Sequence, residues 1–340
     1  MKTQVVSLTD SPSVTLTCYL LDQSSELQNA AERPAVLICP GGYAVCSDRE
    51  AEPIAMAYLA EGYHAFVLRY SLGEHANFPQ PLRDAEAALR YIRAHAQEWG
   101  VCPQQIAACG FSAGGHLAAA LGTMGAVRPN ALILGYPCIT EDMGEMMHVQ
   151  IPSCDQYVDA NTPPVFLFST RTDELVPIRN SLTFANALDA AGVPFELHIF
   201  GEGCHGLSLA KGFTSSGLKR MVNGNVAQWF AWSVQWLQRL FSPFPSEQAY
   251  LLLPHTEQYS TALPLGALWE NEACRNLVAQ AFPMFASGQD LRAAMTVSLE
   301  AMQSYAPEIF TTQKLETLNQ QLQKIAFVQS GSAKGEPSCR

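Results

Sequence analysis

Gly110-Phe111-Ser112-Ala113-Gly114-Gly115 stands between an apolar run at 106–110 and a small-residue run that begins His116-Leu117-Ala118-Ala119-Ala120. The pattern G-x-S-x-G between a buried strand and a helix describes a turn so sharp that glycines must flank the serine, whose hydroxyl then stands above the sheet at a helix N-terminus. A glycine-rich turn by itself is ordinary. With a strand before it and a helix after it, the turn makes Ser112 a candidate nucleophile.

A serine hydroxyl is a weak nucleophile near neutral pH, so it needs a histidine base, and the histidine needs a carboxylate to hold its tautomer. Where the serine sits on such a turn, the chain order is Ser, acid, His. Beyond Ser112 the histidines are 116, 148, 198, 205 and 255. His205 lies in Gly201-Glu202-Gly203-Cys204-His205-Gly206, a loop just past the apolar run 195–200. His198 falls inside that run and reads as a packed strand residue. His116 follows the turn and reads as a capping or packing residue, and His148 and His255 read as surface residues. For the acid, the run 165–170 ends in Arg171-Thr172-Asp173-Glu174. A carboxylate just past a parallel strand lies at the sheet edge where ligands bind, which favours Asp173 over its neighbour Glu174. The tetrahedral intermediate also needs backbone N–H donors fixed in advance. One is expected from Ala113, and the other from Gly42 or Tyr43 in Cys39-Pro40-Gly41-Gly42-Tyr43, which follows the run 35–39.

Outward from the turn, short apolar runs at 35–39, 65–70, 106–110, 131–136, 165–170 and 195–200 alternate with helical patterns at 49–61, 82–98, 113–122, 179–191 and 226–240. That alternation predicts an α/β fold, a mainly parallel sheet with helices on both faces, with the first 30 residues as a hairpin at its edge. After Phe241, Ser242-Pro243-Phe244-Pro245-Ser246 cannot continue a helix and marks a boundary near 243. Helical patterns follow at 271–282, 289–304 and 312–327, the last with Leu315, Leu318, Leu322 and Ile325 on one face. The expected organisation is 1–242 as catalytic domain, 243–329 as a small helical appendage and 330–340 as a frayed tail.

A chain of 340 residues with 48% hydrophobic content can bury a full core. Its net charge of −11 leaves no basic surface for nucleic acid or anionic membranes. No segment is apolar enough for a signal sequence or a membrane span. The ten cysteines are scattered without a C-x-x-C pair, so free thiols, a cytoplasmic setting and no metal are expected.

Taken together, these residues resemble the esterase/lipase-like branch of the α/β-hydrolases related to acetyl-xylan and feruloyl (carbohydrate) esterases. The matching segments are Cys39 to Tyr43 with Ser47-Asp48-Arg49-Glu50-Ala51-Glu52-Pro53-Ile54-Ala55, then Val67-Leu68-Arg69-Tyr70 and Gly110 to Ala118. Further matches are Thr162 to Phe166, Asp173, Val176-Pro177, Asn180-Ser181-Leu182 and His205 to Leu209. The resemblance covers about 1–241 and implies an α/β-hydrolase fold that cleaves short acyl esters, often acetyl groups on sugars, without cofactor or metal. Family members often carry three consecutive glycines before the tyrosine, where this chain has only Gly41 and Gly42. The stretch between Tyr136 and Pro163 looks short and carries Met143, Met146, Met147 and His148, with core filling as the expected role of the methionines. Two other readings share the scaffold: a serine peptidase of prolyl-oligopeptidase-like type, and a non-catalytic ligand-binding protein. Self-association through the C-terminal helices is expected by analogy with helical additions in sugar-processing enzymes.

Overall fold

The computed structural model describes residues 1–9, 11–24, 26–244, 257–286, 291 and 294–327. The chain forms two compact units, Met1–Gln23 with Glu32–Pro243, and Ser24–Ala31 with Phe244–Arg340. Among the described residues, eight strands form one sheet in the first unit. They are β1 Lys2–Ser7, β2 Thr15–Leu20, β3 Arg33–Cys39, β4 His64–Arg69, β5 Val101–Phe111, β6 Ala131–Gly135, β7 Val165–Thr170 and β8 Phe195–Phe200. Their spatial order is β1-β2-β4-β3-β5-β6-β7-β8. The hairpin β1-β2 joins β4 antiparallel, and β3 through β8 run parallel.

Every residue of β3, β6 and β7 is buried, as strands covered on both faces must be. Alternate side chains divide between two layers. Leu37, Leu68, Leu134 and Leu167 gather with Leu89 and Leu117 in one core. Their neighbours face the other way, where Trp229 stacks on Phe168 with ring centroids 4.5 Å apart and meets Phe111 edge-on. The helix Ser112–Thr123 is buried along its whole length, which its alanines and glycines permit.

This order positions the site. The chain steps outward from β3 to β4 and then returns past β3 to β5, so the strand order reverses between β3 and β5. Cys39 pairs with Gly110 in register, and the loops leaving these two strands therefore emerge side by side. Such a reversal at the carboxyl ends of a parallel sheet is where α/β proteins hold ligands.

The expected helix over 82–98 divides at His95 into Gln80–Ala94 and Ala96–Trp99. In the second unit, Leu265–Glu270 and Glu272–Ala281 precede Thr312–Leu322, and Leu315, Leu318 and Leu322 lie in a separate core with Leu268, Val278 and Phe282. Of the helix expected over 289–304, the described residues form Leu299–Met302, whose N-cap Ser298 accepts a hydrogen bond from the Ala301 N–H. The capping serine starts the helix late, and part of the expected span lies outside the described residues. Ser24–Ala31, expected to belong with the opening hairpin, groups with the second unit. The 330–340 tail and His255 lie outside the described residues. No described helix is long and apolar enough to cross a membrane.

Candidate active site

Ser112 opens its helix directly after β5 with a φ of 52°. A left-handed conformation of this kind costs an L-residue roughly 1–2 kcal/mol. The surroundings hold it there. A Cβ on Gly110 would lie 2.2 Å from the Gly114 carbonyl oxygen, and one on Gly114 would lie 2.1 Å from that of Cys39. The glycines of the motif are thus required by close approach of β3, β5 and the helix.

Asp173 follows β7 and His205 follows β8, and the sheet brings both to the turn. The Ser112 hydroxyl lies 2.8 Å from His205 Nε2, and His205 Nδ1 lies 2.8 Å from Asp173 Oδ2. Because a carboxylate accepts, Nδ1 carries the proton and Nε2 is free to accept from the serine. The other Asp173 oxygen accepts from the N–H groups of Leu175 and Val176, both at 2.9 Å. The Asp173 side chain is 1% exposed and that of His205 17%. Such an arrangement can take a proton from the serine and return it to a leaving group on the open side. Glu174 is exposed.

The loop after β3 is held almost completely. Its carbonyls at Pro40 and Gly42 accept from the Tyr70 hydroxyl at 2.6 and 2.9 Å, that of Gly41 from Ser47 N–H at 3.0 Å, and that of Tyr43 from Gly73 N–H at 2.8 Å. Gly41 N–H donates to Glu50 Oε2 at 2.8 Å. Among the described residues, the N–H groups of Gly42 and Tyr43 find no protein acceptor. Gly42 has a φ of 94°. A side chain would resist that conformation.

His116 is buried in its helix, with Nε2 2.9 Å from the Pro152 carbonyl and Nδ1 3.1 Å from the Tyr43 hydroxyl. Burial lowers its pKa to about 4, and burial does the same for His64, which accepts from Leu21 N–H. The unfolded chain binds these protons near pH 6.5 and the native state only near 4, so stability is lost as pH falls between those values. The expected slope is up to about 1.4 kcal/mol per pH unit for each histidine. Urea midpoints measured at pH 7 and pH 5 should drop accordingly, and His116→Gln should flatten the drop. A pH-independent midpoint would contradict the assignment.

His198 pairs with Glu196 and stacks on Trp232, and His148 is exposed. Met143 and Met147 fill the core. Cys138 lies beside the turn, its N–H bonded to the Ser112 carbonyl, and burial pushes its thiol up to about 12. It therefore stays protonated and does not compete as a nucleophile.

Glu50 stands in a matching segment and Tyr136 at the end of an apolar run, but neither was assigned a role at the site from sequence. The Tyr136 hydroxyl donates to Glu50 Oε1 at 2.7 Å and accepts from Ser208 N–H at 2.8 Å, and its ring stands edge-on to His205 at 5.1 Å. A tyrosine directly after a strand end, and a glutamate within the matching segment after the β3 loop, were the available local signals.

The BD-FAE family model matches residues 21–130. The structure is similar to that of MGS-M1, an α/β hydrolase enzyme from a Medee basin deep-sea metagenome library. That likeness has 48% identity and a TM-score of 0.68 over 71% of this chain and 98% of the other. The chain belongs to the esterase-like α/β-hydrolases. The carboxylesterase Cest-2923 from Lactobacillus plantarum WCFS1 is 31% identical to this α/β-hydrolase, with a TM-score of 0.67 over 73% of this chain and 100% of the other. An acetylxylan esterase of Xylanibacter ruminicola is 30% identical over 61% of this chain and 46% of its own. The chain spans only 34% and 46% of the lengths of two of the curated relatives it matches.

Proposed function

We propose that this chain is a serine carboxylesterase that removes short acyl groups, acetyl above all, from carbohydrates or small alcohols. The observation that carries the reading is the continuous hydrogen-bonded series Asp173, His205, Ser112, from the ends of β7, β8 and β5, beside two N–H groups without a protein acceptor among the described residues. Ser112 Oγ attacks the ester carbonyl as His205 Nε2 takes its proton. The N–H groups of Ala113 and of Gly42 or Tyr43 hold the oxyanion. His205 then gives the proton to the departing alcohol, leaving an acyl-serine. Water, deprotonated by the same imidazole, attacks the acyl carbon, and His205 returns that proton to the departing Ser112 Oγ as the acid is released. Asp173 orients His205 throughout. The acetyl and carbohydrate preference is supported by the likeness to the acetylxylan esterase. We further read 1–242 as the catalytic domain and 243–329 as a helical domain with its own apolar core, through which the chain self-associates.

Asp173→Asn should lower kcat by roughly 10⁴-fold, because an amide turned to accept from Nδ1–H must set its NH₂ against other N–H groups. Glu174→Gln, changing an exposed side chain, should leave kcat within about twofold. A large loss in Glu174→Gln with Asp173→Asn left within about twofold would exchange the assignment. The function itself is tested with acetylated xylo-oligosaccharides alongside p-nitrophenyl esters of increasing chain length. We expect kcat/KM to peak at acetyl or propionyl and to be measurable on the sugars. Cleavage confined to long-chain lipids would refute the reading.

A further inference from the structure

Glu50 is 2% exposed. A buried carboxylate is costly unless each oxygen is satisfied. Both oxygens are used: Oε2 accepts from Gly41 N–H and Oε1 from the Tyr136 hydroxyl. No Lys, Arg or His forms an ion pair with it among the described residues. An apolar side chain would fill this space at less cost, so the presence of a carboxylate calls for another reason.

Its two donors belong to opposite sides of the site. Gly41 N–H is the amide of the β3 loop turned inward, and fixing it, with the carbonyls held by Tyr70, Ser47 and Gly73, leaves the next two N–H groups unpartnered among the described residues. Gly41 has no side chain to obstruct this, since a Cβ there would lie 2.6 Å from Glu50 Oε2. Tyr136, through its hydroxyl, carries the link to Ser208, three residues beyond His205. Ser208 is itself clamped: its Oγ donates to the Arg49 carbonyl and its carbonyl accepts from Trp229 Nε1 at 2.8 Å. Burial first, and then the neighbouring Glu50, keep the Tyr136 phenol well above its ordinary range, so it remains a donor. One carboxylate and one phenol therefore join the loop after β3 to the loop after β8.

We propose that Glu50 is a positioning residue which, through Gly41 N–H and the Tyr136 hydroxyl, sets the oxyanion-binding loop and the His205 loop in fixed relation. The proposal rests on the serine-esterase reading above. Its role is geometric: a tetrahedral intermediate needs the N–H donors and the imidazole at once, and a displacement of about 1 Å can cost on the order of 10²-fold in rate. Ground-state ester binding does not depend on that registration.

The test uses the full chain with Glu50→Gln, Tyr136→Phe and the double variant. It measures kcat and KM on p-nitrophenyl acetate, inhibition by butylboronic acid, which forms a tetrahedral adduct on the serine, and thermal melting. Each single variant should lower kcat about 10–100-fold with KM within about twofold, and weaken boronate inhibition in parallel. The double variant should be little worse than the poorer single one, because both cut the same link. Lower melting temperatures with kcat and boronate affinity unchanged would overturn the proposal, as would losses that multiply in the double variant. If Glu50→Gln does not accumulate folded, Tyr136→Phe cuts the link at its other end and carries the same expected and overturning results. A wild-type protein that neither hydrolyses the ester nor binds the boronate would instead remove the serine-esterase reading, and this proposal with it.

Discussion

Ser112→Ala is expected to lower kcat on a short aryl ester by at least about 10⁴-fold while leaving a folded protein. The size of the effect follows from the way the three side chains act as a unit. Without the hydroxyl, His205 Nε2 has no proton to take and no acyl-enzyme can form, so only oxyanion binding and ester binding remain. Folding should survive, because the hydroxyl's bond to His205 serves the site, whereas the turn is held by Gly110, Gly114 and their neighbours. The left-handed φ of 52° at this position is kept by any replacement. Glycine tolerates such a φ better than alanine does, so Ser112→Gly should be at least as stable as Ser112→Ala. Equal hydrolysis rates in wild type and Ser112→Ala would sink the mechanism.

Gly114→Ala should be the most damaging substitution of the smallest kind. Its Cβ would fall 2.1 Å from the Cys39 carbonyl oxygen and 2.3 Å from that of Pro40, both backbone atoms of β3 and its loop. No side chain can swing aside, so the helix must move off the sheet. Overpacking a well-filled core costs typically about 1–3 kcal/mol and more where backbone must shift, against a total stability of about 5–15 kcal/mol. The same displacement pushes on the loop that carries Gly42 and Tyr43, so the folded fraction should also lose activity. Gly212→Ala, with open space around its Cβ, is the control and should change neither. A Gly114→Ala protein with wild-type melting and wild-type kcat would mean that helix and β3 are less closely packed than described.

Much of this was legible because the requirements are local. A buried parallel strand reads as a short apolar run, and residues placed just past such runs share one edge of the sheet, so Ser112, Asp173 and His205 could be named without knowing the strand order. The glycines at 110 and 114 were readable for the same reason. Other features depend on contacts across long sequence separations. Glu50 and Tyr136 are 86 positions apart, and Tyr136 and Ser208 are 72, so nothing in either neighbourhood announces the link. His116 looked like a packing residue, yet its neutral, hydrogen-bonded state depends on Pro152 and Tyr43, which only the tertiary structure brings near. Within the described part of 289–304 the helix begins only after Ser298, because periodicity alone does not weigh a capping serine.

In the proposed mechanism Ser112 is activated by His205 and carries the acyl group. A fluorophosphonate probe reacts with such a serine to give a stable adduct, and mass spectrometry of the intact protein and its peptides locates it. One adduct per chain is expected, on the peptide containing Ser112, absent in Ser112→Ala and greatly slowed in His205→Ala. An unlabelled wild-type protein, or an adduct on any other residue with ester hydrolysis persisting in Ser112→Ala, would contradict it.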